Sequence, residues 1–263
     1  MKIIHLTDLH LSAPGERVWG LDACARADRV LDDVARLHGD AAFCVISGDL
    51  ANDRDPWAYR WLAARLARFP LRTFLMVGNH DERAAMRAEL ADVMDDGQGF
   101  VQGVHETPAG VFLFLDTLKD PTVTSGAYCA RRRDWLRARL DEVAGRPVFV
   151  FMHHPPFDIG IGRMDRIKLE EAEAFAEIVA RPDARHEIRH IFFGHVHRPV
   201  YLSWRGIPCT ALPGTSHQIP LVEAAAGPFT VEPPMYAAVL IRDGEVVVHM
   251  DAPLDRHPVP APP

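Results

Sequence analysis

Between residues 1 and 77, three short apolar runs alternate with two amphipathic stretches. No other feature of the chain constrains its fold as tightly. Residues 1–7, 42–46 and 72–77 read as buried strands, rich in Ile, Val, Leu and Phe and too short for helices. Residues 21–37 and 56–69 set Ala, Val and Leu among Asp and Arg at helical spacing, and Pro56 stands where a helix tolerates it, in the first turn. Strand, helix, strand, helix, strand predicts parallel strands joined by crossover helices. Open sheets of that kind place their ligand sites at the carboxyl ends of the strands.

The rest of the chain extends the pattern. A short helix is expected at 82–91, a Gly- and Asp-rich turn at 95–99, and strand-like runs at 100–104 and 111–115. A loop at 116–130 follows, then a helix at 131–144, a strand at 147–152, a loop at 157–166, a helix at 167–180 and a strand at 188–193. From there the chain is mostly β, with strands at 199–204, 207–212, 236–241 and 245–249. The expected fold class is α/β: one domain over residues 1–256, with two packed sheets and helices on the outer faces. The Pro-rich tail at 257–263 is expected to be disordered.

Composition removes several function classes. With 48% hydrophobic and 25% charged residues the chain reads as a soluble globular protein. No window approaches the roughly 18 unbroken apolar residues of a membrane span. Met1-Lys2 leads straight into the first strand, and Asp8 and His10 interrupt before a signal-peptide core could form. A net charge of −7 argues against stable nucleic-acid binding, though not against a small nucleotide. The four cysteines, Cys24, Cys44, Cys129 and Cys209, form no C-x-x-C pair and read as reduced thiols, so a cytoplasmic location is expected.

Polar residues gather where the strands end. They are Asp8-Leu9-His10, Gly48-Asp49, Gly78-Asn79-His80-Asp81, His153-His154-Pro155-Pro156 and Gly194-His195-Val196-His197. Each alone has a plainer explanation: a polar turn, a helix cap, or a chance D-x-H. In an extended chain, alternate residues such as Asp8 and His10, or His195 and His197, would point the same way. Amide oxygens, imidazoles and carboxylates are costly to bury without partners, and together they suit a borderline metal and proton transfer. Five strand ends of this kind in one chain point to a metal site. Asn79 reads as a ligand and His80 as facing a substrate. His154, beside His153, reads as a structural hydrogen-bonding residue.

In this order the five motifs resemble the calcineurin-type binuclear metallophosphoesterases, over roughly residues 1–217. Asp81, the His-His-Pro-Pro run and the segment 160–165 are similar to the branch of cyclic-nucleotide (class III) phosphodiesterases and bacterial glycerophosphodiesterases. The resemblance implies a two-sheet β-sandwich flanked by helices and two divalent ions (Fe, Mn, Zn or Co). Asp8, His10 and His197 would hold one ion, Asn79, His153 and His195 the other, and Asp49 would bridge them. His80 would be catalytic, with Asp81 orienting it, and Asn79, His80 and His217 would meet the substrate. The implied activity is hydrolysis of a small phosphodiester, a cyclic nucleotide or a glycerophosphodiester, by a metal-activated hydroxide. A phosphomonoesterase or pyrophosphatase using the same site is the alternative. A non-catalytic scaffold should have lost ligands, and none is missing. Loops 11–20, 116–130 and 157–166 are expected to rim the pocket, with Arg17, Arg163 and Arg166 within reach of phosphate. By analogy with the branch, residues 218–256 are a candidate oligomerisation segment of a homodimer or larger assembly.

Overall fold

The computed structural model describes residues 1–143, 145–181, 186–222 and 227–254. In chain order the elements are β1 (Lys2–Leu6), α1 (Ala23–His38), β2 (Cys44–Ile46), α2 (Pro56–Leu66), β3 (Thr73–Leu75), α3 (Arg83–Glu89), β4 (Gly103–Thr107), β5 (Gly110–Leu115), α4 (Ala130–Glu142), β6 (Pro147–Met152), α5 (Gly162–Asp165), α6 (Ala172–Val179), β7 (Glu187–Phe193), β8 (Val200–Trp204), β9 (Ile207–Ala211), β10 (Tyr236–Arg242) and β11 (Glu245–Asp251).

Local chemistry explains where the long helices begin. The Asp22 carboxylate accepts the Ala25 N–H at 2.9 Å and caps α1, while Arg36 and His38 meet the negative end of its dipole. Ala27, Val30, Leu31 and Val34 recur at i, i+3, i+4 and i+7 and form its buried face. Asp55 caps α2 on the Trp57 N–H at 2.8 Å, just before Pro56, whose missing N–H would be unpaired there anyway.

Two sheets stack. One has the order β11-β10-β1-β2-β3, the other β4-β5-β6-β7-β9-β8. The pairs β1–β2, β2–β3, β5–β6, β6–β7 and β7–β9 are parallel, as the crossover pattern requires. Strand alternation sorts side chains by size. Val111, Leu113 and Leu115 of β5 turn outward onto Leu136 and Leu140 of α4 and Phe175 and Ile178 of α6. Phe112 and Phe114 turn inward and join Ile3, Phe43, Val45, Phe74, Phe149, Phe151 and Phe192 between the sheets. Each fully buried ring there contributes about 1.5–3 kcal/mol.

Some boundaries differ from expectation, each because a tertiary bond takes the backbone. The helix expected at 167–180 is formed only over Ala172–Val179. The Leu169 N–H goes to the Pro155 carbonyl and the Glu170 N–H to the Gly126 carbonyl, which draws that segment into a β-bridge with loop 116–130. The loop 157–166 contains the single turn α5. The strand expected from 100 starts at Gly103, because the Val101 N–H is held by the Asp116 carboxylate at 2.8 Å. Within 218–256, β10 is paired on both sides, to β1 and β11, and β11 forms the outer edge of its sheet. The tail 257–263 lies outside the described residues.

Candidate metal centre

The loops after β1, β2, β3, β6, β7 and β9 meet at one end of the sandwich. Asp8 N–H donates to the Gly48 carbonyl, His10 N–H to the Asp49 carbonyl, Gly194 N–H to the His153 carbonyl and Ser216 N–H to the Asp8 carbonyl, at 2.9–3.1 Å. The first two bonds tie loops of one sheet, the third ties loops of the other, and the Ser216–Asp8 bond joins the two; Asp8, His10, Asp49, Asn79, His153, His195 and His197 are buried there.

The side chains converge by a different route from the one expected. Asp8 and His10 do not lie in an extended chain. Their φ angles are 55° and 46°, and Asp49, His195 and His197 stand at 49°, 68° and 49°. Left-handed backbone is strained for residues with a Cβ and persists where the surroundings enforce it, most often at functional sites. Gly78 serves the site through its missing side chain. A Cβ there would lie 2.2 Å from Asp49 Oδ1 and 2.6 Å from the Asp49 nitrogen, so its bareness lets the β2 and β3 loops touch.

Asp8, His10, Asp49 and His197 bring one ligand atom each within 4.8 Å of one another. His197 Nε2 is 3.2 Å from Asp8 Oδ1, His10 Nε2 is 3.5 Å from Asp49 Oδ2, and the two Nε2 atoms are 3.1 Å apart. His197 Nδ1–H donates to the His217 carbonyl at 2.8 Å, which leaves Nε2 as the lone pair. His153 is set the same way, Nδ1–H to the Ser47 carbonyl at 2.8 Å and Nε2 at 3.3 Å from Asp49 Oδ2. Among the buried side-chain atoms without a hydrogen-bond partner are Asn79 Oδ1, His153 Nε2 and His195 Nε2, which lie together in this cluster. Buried polar atoms are rarely left so, and a cation would satisfy all three. These residues therefore could hold a metal, next to the four that cluster around Asp8.

Without a metal, the carboxylates draw protons to the same place, onto His153 and His197. Burial pushes the Asp8 and Asp49 carboxyls up. The His197 and His153 imidazoles outweigh it and hold both well below the usual carboxylate range. Against its own burial, His153 is in turn pulled up to about 9, mainly by Asp49. Burial holds His10 and His195 at about 3, neutral with lone pairs available.

His80 flanks the cluster, its ring 4.7 Å from that of His10. Asp81 does not orient it, contrary to expectation. The Asp81 carboxylate is taken up by the Gly78, Leu50 and Ala51 N–H groups and the Tyr59 hydroxyl, at 2.9–3.1 Å, and so locks the β2 and β3 loops to each other. The His80 ring is held instead by the Asn52 carbonyl, which accepts its Nδ1–H at 2.6 Å. Nothing in the sequence marks Asn52, because its backbone does the work. His154 has the structural part expected of it, with Nδ1 on the Thr117 hydroxyl at 2.8 Å and Nε2 on the Thr124 carbonyl at 3.2 Å. The His217 ring packs 4.3 Å from that of His197, tilted by 34°. A cavity of about 430 Å³ opens above the cluster, lined by His80, His217, Arg17, Arg163 and also Trp19 and Phe229, two residues the sequence did not single out; Arg166 is not in its lining.

Among known proteins, the family described as calcineurin-like phosphoesterase matches residues 1–199. A "Probable cyclic nucleotide phosphodiesterase" of Rhodopseudomonas palustris is 40% identical over 256 residues, 95% of this chain and 91% of that protein. A glycerophosphodiester phosphodiesterase of Enterobacter lignolyticus is 28% identical, covering 87% of this chain and 82% of that protein. The 3',5'-cyclic adenosine monophosphate phosphodiesterase of Escherichia coli is 26% identical, covering 83% and 77%. In fold, the chain is similar to a purple acid phosphatase from yellow lupin seeds, with a TM-score of 0.67 at 10% identity over 97% of this chain and 52% of that one.

Proposed function

The chain belongs to the calcineurin-like phosphoesterase family, and we propose that it is a phosphodiesterase of small diesters, cyclic nucleotides first among them, working with two divalent ions. One ion would be held by Asp8, His10 and His197, the other by Asn79, His153 and His195, with Asp49 between them. The observation that carries the metal reading is the convergence of buried Asp8, His10, Asp49 and His197, with the unpartnered Asn79 Oδ1, His153 Nε2 and His195 Nε2 beside them. The preference for a cyclic nucleotide is supported by the name of the relative that is 40% identical along nearly the whole chain.

Bound there, the ions supply charge that polarises a phosphoester and lowers the pKa of an attacking water. The protein's own residues do the rest. Ser47 and the His217 carbonyl fix the tautomers of His153 and His197, so each presents a lone pair inward. Asp81 and Tyr59 hold the loops that carry Asp49 and Asn79 in contact. The Asn52 carbonyl keeps the proton on His80 Nδ1, and His80 Nε2 is then the atom that exchanges a proton with the leaving oxygen.

Residues 1–256 act in this reading as one domain. A homo-oligomer formed through 218–256 would use the β11 edge, where Val247 is exposed, since β10 is already paired on both sides. A monomer mass by light scattering at micromolar concentration would count against that assembly. No helix among the described residues is long and apolar enough to cross a membrane. The four free thiols support a cytoplasmic enzyme.

Elemental analysis of the purified protein and a rate panel test the whole reading. The panel holds cyclic AMP, glycerophosphocholine, bis-nitrophenyl phosphate and nitrophenyl phosphate, with added Mn or Zn. Metal-dependent cleavage of diesters ahead of the monoester is expected. Preference for the monoester would replace the diesterase with a phosphomonoesterase built on the same site.

A further inference from the structure

At the cavity mouth, residues 18–21 form a two-residue hairpin turn, closed by Val18 N–H to the Leu21 carbonyl at 3.0 Å and Leu21 N–H to the Val18 carbonyl at 2.9 Å. Both central residues are left-handed, Trp19 at φ 52° and Gly20 at 81°. Such turns favour Asn, Asp or Gly at the first of these positions, and a bulky aromatic residue there is strained. Strain of this kind persists where a side chain is held out for a purpose. Trp19 is held out: 60% of its surface is exposed, although large apolar side chains are usually buried.

The indole is not loose. It stacks on Phe229 at 4.1 Å and 26°. Phe229 meets His217 edge to face at 4.9 Å, and the His217 ring lies 4.3 Å from that of His197, tilted by 34°. A ladder of rings thus runs from a residue of the metal cluster to the mouth. Arg163 pins its outer part, with its guanidinium 4.8 Å from the Phe229 centroid and a hydrogen bond to the Pro228 carbonyl. Paired backbone bonds between Gln218 and Thr230 fix the same loop.

We propose that Trp19, braced by Phe229, is the platform on which a nucleobase of the substrate stacks while its phosphodiester sits over the His and Asp cluster. The inference rests on the phosphodiesterase reading above and names the side group that this site selects. A rigid aromatic face suits any base, because each presents a π-surface of its own. A cationic headgroup such as choline is disfavoured, since Arg17 and Arg163 bring like charge to the same mouth. A bare glycerol group has no face to stack.

The test compares the wild-type protein with Trp19→Ala and Trp19→Phe on cyclic AMP and on glycerophosphoglycerol, a diester with neither ring nor cation. Trp19→Ala should lower kcat/KM for cyclic AMP relative to glycerophosphoglycerol by about ten-fold, mainly through KM, and Trp19→Phe should restore most of it. In parallel, calorimetry with metal-loaded protein should show AMP binding more tightly than inorganic phosphate, with the margin shrinking about ten-fold in Trp19→Ala. An unchanged specificity ratio with an unchanged AMP margin overturns the platform. So does a change of mass by light scattering in Trp19→Ala without either effect, which would make Trp19 a contact between copies. If the wild-type protein cleaves no diester, the phosphodiesterase reading fails, and the AMP margin still decides whether the platform exists.

Discussion

Asn79 Oδ1 has no hydrogen-bond partner although its residue is buried, and the same holds for the Nε2 atoms of His153 and His195. An amide oxygen is a weak ligand by itself, so its place in this set is explained by charge. Asp8 and Asp49 are the only carboxylates among the proposed ligands, and neutral partners keep the centre positive enough to attract an anionic diester. Asp49 lies 3.5 Å from His10 Nε2 and 3.3 Å from His153 Nε2 and faces both halves of the cluster. Replacing Asp49 by Ala should therefore cost the protein metal in at least one of the two proposed sites, read by elemental analysis. Full metal content with retained activity would remove it from the bridging position. His80 makes a sharper case, because its ring is tied to a carbonyl and not to the cluster. His80→Ala should keep its metal and lose about 10²–10⁴-fold in kcat, the range of a general acid, with the largest loss for alkoxide leaving groups and the smallest for nitrophenolate. Equal losses for both leaving groups would mean that His80 binds the phosphate and does not protonate.

At the scale of elements, the sequence was most legible where a strand is buried on both faces. β6 runs from Pro147 to Met152 as its apolar run predicts, because each of its faces has a neighbour and nothing polar interrupts. The helix expected at 167–180 was misjudged, since helical periodicity carries no sign that the Pro155 and Gly126 carbonyls will claim residues 169 and 170. All seven proposed ligands were legible as residues at strand ends. The way they converge was not. The left-handed turns at Asp8, His10, Asp49, His195 and His197 are enforced by the loops they join, and a single sequence shows only that Asp and His tolerate such turns. Asn52 and Tyr59 were invisible for a related reason, as each acts on a loop brought near only by the fold. Gly78 condenses this into one position. A Cβ there meets the Asp49 backbone, which cannot swing aside as a flexible side chain can. Gly78→Ala should cost about 1–3 kcal/mol in urea unfolding and lower metal content as Asp49 is displaced. A variant with the wild-type urea midpoint and full metal content would show that the β2 and β3 loops have room to part.

For the whole molecule, the two sheets share an interior of aromatic and aliphatic side chains in which two histidines, His5 of β1 and His190 of β7, are also buried. His5 Nε2 pairs with the Ser47 hydroxyl and His190 Nε2 with the Thr210 hydroxyl, both at 2.8 Å, beside the rings of Phe151 and Phe192. Burial holds them neutral and lowers His5 to about 3 and His190 to about 4, from an ordinary value of 6.5. In the unfolded chain both take protons near 6.5. Between there and their folded values the unfolded state binds more protons, so stability is fully present above pH 6.5 and drains away as the pH falls towards 4. The slope is at most about 1.4 kcal/mol per pH unit for each site. The sandwich is thus acid-sensitive through its middle layer, although at His5 the Asp8 carboxylate opposes the effect of burial. His190 separates the two contributions best, because burial alone shifts it and it lies away from the cluster. His190→Gln keeps a group able to bond Thr210 and removes the titration. Its unfolding free energy in urea, measured at half-unit steps from pH 4 to 7, should rise with pH less steeply than the wild type's by up to one proton. Parallel curves would assign the acid sensitivity to the histidines of the proposed metal site, and adding saturating metal should then steepen both curves alike, because bound metal keeps those histidines deprotonated in the folded state alone.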